Sequence, residues 1–213
     1  MKRLLSLLLL TACLLCLCAC GQEDRVFATV NGEEIVKDEI DYFSNRLRAD
    51  VLSDYVQKYD VSDFSDFWDT EFDGTTPSEA LEKKAFDEAV RAKIVLVLMR
   101  ENGIYSDISF DALKKKAEDF NNANAVSAKP IVGIKTVELE QFYTYYISNG
   151  EIELKNILAE STLKPSDSEL AQRRASADDD ISDEMLKAII VSEKYESYIS
   201  ELIDKAEIVK TVG

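Results

Sequence analysis

The stretch RVFATVNGEEI, residues 25–35, decides the fold that the sequence predicts. It has the pattern of two short strands joined by Asn31-Gly32, a pair that favours a two-residue hairpin turn because both residues readily adopt positive φ. A hairpin of this size is marginally stable alone and needs further strands or helices packed against it. We expect its partner near the C-terminus, where residues 206–210 also have the pattern of a strand.

A targeting segment precedes the hairpin. Lys2 and Arg3 are followed by an uncharged apolar run that ends at Ala19, which is the pattern of a secretory signal peptide. All four cysteines lie within this run or directly after it. Cysteines in this position indicate processing of the leader, and they leave no thiols for disulfides or zinc sites in the rest of the chain.

The segment LCACG, residues 17–21, resembles a bacterial lipobox and predicts lipid attachment at Cys20. Residues 1–19 are then a lipoprotein signal peptide, and residues 20–24 are a lipidated tether. Two acyl chains anchor a protein stably to a bilayer, so we expect an extracytoplasmic protein attached to the bacterial cell membrane through acylated Cys20. Lipidation at Cys13, cleavage near Ala19 without lipidation, and an uncleaved helical anchor are the alternatives.

Charge and composition exclude several classes of function. The formal net charge is −16, and it becomes −18 once the leader takes Lys2 and Arg3 away. Binding to nucleic acid depends on basic residues that neutralise phosphates, so we expect no nucleic-acid partner. The chain has no histidine, which removes histidine-based nucleophile systems and histidine-ligated metals. Glycine-rich phosphate loops are also missing. We expect no cofactor, no metal and no catalysis.

Helical periodicity dominates the rest of the sequence. It predicts helices over residues 38–59, 76–102, 109–124, 136–150 and 182–206, and a short helix that begins after Pro165. The second of these is the expected core helix, because its segment IVLVLM is apolar on all sides. Residues 151–159 fit either a strand or a helix. We therefore predict a mostly α fold, with one helical domain over residues 25–213 closed by a small β-sheet of the N-terminal hairpin and the C-terminal strand.

Aromatic side chains supply the candidate binding residues. Phe64, Phe67 and Trp68 lie among acidic residues in the irregular stretch 60–76, and Tyr143 and Tyr146 lie on the apolar stripe of the fourth helix. Each group has two interpretations, since the rings either pack into the core or form an exposed rim for apolar segments of another polypeptide. The acidic spacing does not match an EF-hand calcium loop. These five residues are the candidate peptide-binding residues.

Four segments resemble the SurA/PrsA-type chaperone and parvulin foldase lipoproteins of bacterial envelopes. They are VFATVNGEEIVKDEID, PSEALEKKAFDEAVRAKIVLVLMRENGI, KTVELEQFYTYYIS and EKYESYISELIDKAEIV. The resemblance implies a multi-helix domain like the SurA N-terminal chaperone domain, in which the two ends of the chain meet and the helices cradle unfolded polypeptide. The parvulin isomerase domain of the family is missing, because only a short segment separates Ser161 from Ile181. NIL, residues 156–158, stands near the place of the usual His-Ile-Leu motif.

The sequence thus predicts a membrane-anchored chaperone-like lipoprotein that binds unfolded or exported polypeptides without catalysis. Two alternatives belong to other classes. One is a residual peptidyl-prolyl isomerase, and the other is a lipoprotein that binds a specific folded partner in the cell envelope.

Overall fold

A computed structural model describes residues 26–125, 136–178 and 180–211. The predicted signal peptide, the predicted tether with Cys20, and Arg25 lie outside the described residues. The chain divides into two compact units, one formed by the residues up to Ala89 together with those from Glu207 onward, and the other by Val90–Ala206. Each unit is described by itself, and the single domain over residues 25–213 stays a prediction.

The first unit is built on the predicted hairpin. Strand β1, Val26–Val30, pairs antiparallel with strand β2, Glu33–Val36. Asn31 and Gly32 turn the chain with φ of 52° and 82°, the positive values that a tight hairpin turn requires. Ala28, Val30 and Ile35 are completely buried, as the alternation of a strand with one core face demands.

The C-terminus completes the sheet, as the sequence predicts. Strand β3, Ile208–Lys210, pairs antiparallel with β1, which gives the order β2-β1-β3. Asn31 fixes the register at one end, because its backbone N–H donates to the Glu207 carbonyl at 2.8 Å and its Oδ1 accepts the Glu207 N–H at 2.9 Å. At the other end the Thr211 N–H donates to the Phe27 carbonyl. The prediction of a sheet closed by the two chain ends is confirmed.

Two long helices follow the hairpin. Helix α1, Lys37–Tyr59, begins directly after β2 and buries Ile40, Phe43 and Val51. Helix α2, Pro77–Glu101, starts with a capping box, in which Thr76 and Glu79 exchange side-chain to backbone hydrogen bonds of 2.9 and 3.2 Å. Gly103 follows two residues after its end, and a φ of 75° there allows the Ile104 N–H to reach back to the Met99 carbonyl. The apolar segment before this end is buried almost throughout, as predicted.

The second unit contains the end of α2 and four further helices. They are α3, Phe110–Ala125; α4, Leu139–Ala159; α5, Asp167–Ala175; and α6, Asp183–Lys205. Ser109, Ser166 and Ser182 cap three of them by accepting a backbone N–H. The six helices and the small three-stranded sheet of the described residues confirm the prediction of a mostly α fold. None of the helices in the described ranges combines the length and hydropathy that a bilayer crossing needs.

The prediction that the fourth helix ends at Gly150 is wrong. Helix α4 continues through Gly150 to Ala159, which also decides that residues 151–159 are helical. Gly150 is buried, and a Cβ at this position would lie 2.7 Å from the Met99 side chain and 2.9 Å from the Tyr105 ring. The glycine is therefore required by close packing between α4 and its neighbours rather than by a chain reversal.

Candidate functional site

Residues 60–76, which join α1 to α2, form a compact aromatic loop in the first unit. Asp60, Asp66 and Asp73 adopt positive φ of 51–55°, a conformation that aspartate tolerates better than most residues. Asp73 and Gly74 form a tight turn, on either side of which Phe72 and Thr75 exchange backbone hydrogen bonds of 3.0 and 3.2 Å. A single 3₁₀ turn, Phe67–Asp69, lies in the middle of the loop.

Phe67 is the anchor of this loop. It is only 2% exposed, and its ring lies 5.2–6.1 Å from the rings of Tyr55, Phe64, Trp68 and Phe72. The approach to Tyr55 and Trp68 is edge-to-face, the geometry that aromatic pairs favour. Phe67 packs beneath the exposed rings of the loop and stabilises their positions. Because it is buried, it is not itself accessible to a partner.

Phe64 and Trp68 form the outer part of the loop. The Phe64 side chain is 54% exposed, although its ring packs against Phe67 on one side. Trp68 is half-buried, and the guanidinium carbon of Arg48 lies 3.9 Å above its ring, within the range of a cation–π contact. The loop thus presents one open aromatic ring and a second ring that is covered by a cation.

Carboxylates surround these rings. Residues 60–73 include five aspartates and one glutamate and no basic residue. Hydrogen bonds from the hydroxyl and backbone N–H of Ser65 hold the pKa of Asp63 below its usual value. The pKa of Asp73 is also lowered, first by the Tyr59 hydroxyl at 2.8 Å and then by Lys58. The rim of the aromatic loop is therefore negatively charged at neutral pH.

Tyr143 and Tyr146 belong to the second unit and lie mostly inside it. Tyr143 is 2% exposed and packs beside Phe110. Tyr146 is half-buried and stacks on Tyr105, with ring centroids 4.0 Å apart, while the Tyr105 hydroxyl donates to the Tyr146 carbonyl. Burial, then the nearby Tyr105, raises the pKa of Tyr146 to about 12, so this hydroxyl stays neutral.

The exposed aromatic residues of the second unit are different ones. Tyr145 is 64% exposed and Phe120 is 40% exposed, and both lie near the buried ring of Phe142. The apolar stripe of α4 does not indicate Tyr145, because this residue lies outside the inward-facing sector of the helix. A helical wheel centred on the solvent side would have found it, since Tyr145 and Ile152 are seven residues, or two turns, apart.

A partly buried ionic network joins three helices of this unit. Arg91 binds Glu151 at 3.2 Å and Glu196 at 3.0 Å, and the Tyr195 hydroxyl donates to Glu151 at 3.1 Å. Burial, followed by the charge of Glu151, raises the pKa of Tyr195. These groups satisfy one another, so the network supports packing of α2, α4 and α6. Within the described residues, no acidic cluster has the arrangement of a metal site.

A cleft of about 360 Å³ lies between α5 and α6 and is lined mainly by polar side chains. Arg173 pairs with Glu193 across it, and Lys194 pairs with Glu169 at 3.2 Å. Hydrogen bonds from the Ser166 backbone and side chain, and then from Lys194, lower the pKa of Glu169 to about 2. The charged groups of this cleft are paired with one another, which makes it a weaker candidate than the aromatic loop.

Of the five candidate residues, the structure brings Phe64, Phe67 and Trp68 together in the aromatic loop and places Tyr143 and Tyr146 in the packed interior of the other unit. Phe64 is the most accessible of them. Binding of a polypeptide by any of the five stays a prediction. In comparisons with known proteins, no family model, no curated protein and no solved structure matches this chain.

Proposed function

We propose that this chain is a membrane-anchored, extracytoplasmic chaperone-like lipoprotein that holds unfolded or exported polypeptides without catalysing a reaction. Four of its segments resemble SurA/PrsA-type proteins. Under this proposal the chain is a lipoprotein of that type without the parvulin insert. The observation that carries the proposal is the aromatic loop, where Phe64 is exposed on a rigid base of packed rings.

A holding function needs an accessible apolar surface that does not collapse when no client is bound. Phe67 provides that rigidity, because its ring contacts four other aromatic rings. Aromatic rings contribute large contact area at little cost in side-chain entropy, so one or two exposed rings can dominate binding. The carboxylates around Phe64 add attraction for basic segments of a client and repulsion for acidic ones.

We expect Phe64→Ala to weaken the binding of an unfolded client by about tenfold, since truncation of a central aromatic residue removes roughly 1–2 kcal/mol of binding free energy. The measurement is light scattering by an aggregating, chemically unfolded client in the presence of the full-length protein, together with the affinity for a labelled apolar peptide. Because Phe64 is more than half exposed, the variant should fold normally, which circular dichroism checks.

Val209→Ala is the matched control, because Val209 has nearly the same exposure, 53%, and belongs to β3 rather than to the loop. This variant should protect the client as well as the wild type does. Equal protection by the wild type and Phe64→Ala would reject the aromatic loop as the binding surface. Absence of protection and of peptide binding by the wild type would reject the holding function itself.

We expect Cys20→Ala to release the protein from the membrane fraction, because the variant lacks the thiol that accepts the lipid. Fractionation of cells followed by mass spectrometry of the mature N-terminus measures this outcome. Cys13→Ala is the control, and it should leave anchoring intact. Full membrane retention of Cys20→Ala together with release of Cys13→Ala would identify Cys13 as the lipidated residue, whereas retention of both would favour an uncleaved anchor.

A further inference from the structure

The central strip of the outward face of α4 carries no charged side chain over about four helical turns. The exposed positions of this strip recur at steps of three and four residues and are Gln141, Tyr145, Ser148, Asn149, Ile152 and Asn156, with exposed Thr144, Glu153 and Ile157 at its borders. Tyr145 and Ile152 are among the most exposed large apolar residues of the described chain, at 64% and 61%. Charged residues make up 31% of the sequence, so an uncharged exposed face of this length requires an explanation.

The chemistry of this face is symmetric about the point between Ser148 and Asn149. An antiparallel copy of α4 centred there would place Tyr145 opposite Ile152, and Ile152 opposite Tyr145. The same operation places the amide of Gln141 opposite the amide of Asn156, with small polar residues at the centre. A closed twofold interface requires a self-complementary surface of this kind.

We propose that a second copy of this chain covers the face, so that two α4 helices pack antiparallel in a homodimer. Electrostatics confine a contact between copies to an uncharged surface. Each copy has a net charge of −16 over the full sequence, or −18 without Lys2 and Arg3, and two such molecules repel each other wherever acidic surfaces meet. The uncharged face of α4 allows approach without that penalty. In this register Glu153, at the border of the face, lies opposite Thr144 rather than a carboxylate.

The side chains at the centre allow the two helices to approach closely. Ser148 is small, and the Asn149 amide is held along its own helix by a 2.7 Å hydrogen bond to the Tyr145 carbonyl. Helices packed on such residues lie about 8–10 Å apart. The face extends over about 23 Å of helix, which makes the contact smaller than a standard protein interface of roughly 1,600 Å². The dimer is therefore weak and reversible.

Disulfide trapping in the full-length protein tests this arrangement. Ser148→Cys places two thiols beside the twofold axis, where the Cα atoms come within the roughly 4–7 Å that a disulfide requires. We expect mild oxidation to produce a dimer band severalfold stronger than that of Ser197→Cys, whose site is exposed on α6. The wild type measures the background from any native cysteine that processing leaves, all of which lie within residues 13–20.

Ile152→Glu, added to Ser148→Cys, should reduce the dimer band to the level of Ser197→Cys. It places a carboxylate opposite each Tyr145, and burying an unpaired charge raises the dissociation constant by about tenfold or more. The substitution should not affect folding, because Ile152 is exposed. Equal trapping at positions 148 and 197, or trapping at 148 that persists with Ile152→Glu, would overturn the proposal. If the face instead serves polypeptide clients, Ile152→Glu will weaken client binding while Ser148→Cys traps no dimer above the control, which also overturns it.

Discussion

Deletion of residues 207–213 is expected to lower the melting temperature of the full-length protein by about 10 °C, from a loss of roughly 3–5 kcal/mol in the free energy of unfolding. The deletion removes β3 and leaves β1 with one neighbour instead of two. It also removes both hydrogen bonds between Asn31 and Glu207, and the Lys210 ammonium group that lies 4.2 Å from the Phe86 ring centroid. Thermal unfolding by circular dichroism measures the change.

Two variants show whether this loss comes from the strand. Deleting only Val212 and Gly213 keeps every described contact of β3 and should leave the melting temperature unchanged. Asn31→Gly keeps a residue that accepts the positive φ of the turn but removes the Oδ1 acceptor of the Glu207 N–H, which should cost about 1 kcal/mol. A deletion of residues 207–213 that melts with the wild type would mean that β1 and β2 are stable without β3.

The fold was predictable wherever a local signal decides the backbone. Asn31-Gly32 specifies the hairpin turn, because both residues accept the positive φ that the turn requires. Thr76 and Glu79 specify the start of α2, because their side chains bind the free backbone N–H groups of the first turn. The closure by β3 was also predictable, although it joins residues far apart in the chain. A two-stranded hairpin is marginally stable and requires a further strand, and residues 206–210 are the segment near the C-terminus with the pattern of a strand.

Gly150 shows why a local signal can mislead. A glycine that follows an asparagine near the end of an apolar stripe has the pattern of a helix C-cap, and the sequence contains no sign that Met99 and Tyr105 approach this position. Its role is set by tertiary packing, in which the Cβ atom is excluded by the two side chains. For the same reason the sequence did not decide whether residues 151–159 form a strand or a helix.

The candidate site was predictable in composition but not in orientation. The aromatic and acidic residues of the loop identify an unusual surface, yet its irregular backbone has no period that separates the buried Phe67 from the exposed Phe64. On α4 the period exists, and the wheel separates Tyr143 and Tyr146 from Tyr145. The inward stripe of α4 predicts its core residues, whereas the outward stripe contains the residues that reach solvent.

Gly150→Val is expected to lower the free energy of unfolding by about 3 kcal/mol, which is the upper range for overpacking in a well-packed interior. Its first side-chain carbon would meet the Sδ and Cε atoms of Met99 at 2.7 Å and the Tyr105 ring at 2.9 Å. Met99 is fully buried, so its flexible end has little room to move. Tyr105 is held by its stack on Tyr146 and by the hydrogen bond from its hydroxyl. Denaturant unfolding measures the loss.

Gly150→Ala separates packing from helix propensity, because the two effects have opposite signs. In a helix interior alanine is more stable than glycine by roughly 0.5–1 kcal/mol, whereas the contact with Met99 should cost more than that. We therefore expect Gly150→Ala to destabilise the wild type and to destabilise less in a Met99→Ala background, where only the Tyr105 ring still approaches the Cβ atom. A double-mutant cycle with a coupling free energy near zero would show that Met99 does not exclude the Cβ atom. The requirement for glycine would then lie with the Tyr105 ring or with the backbone of α4.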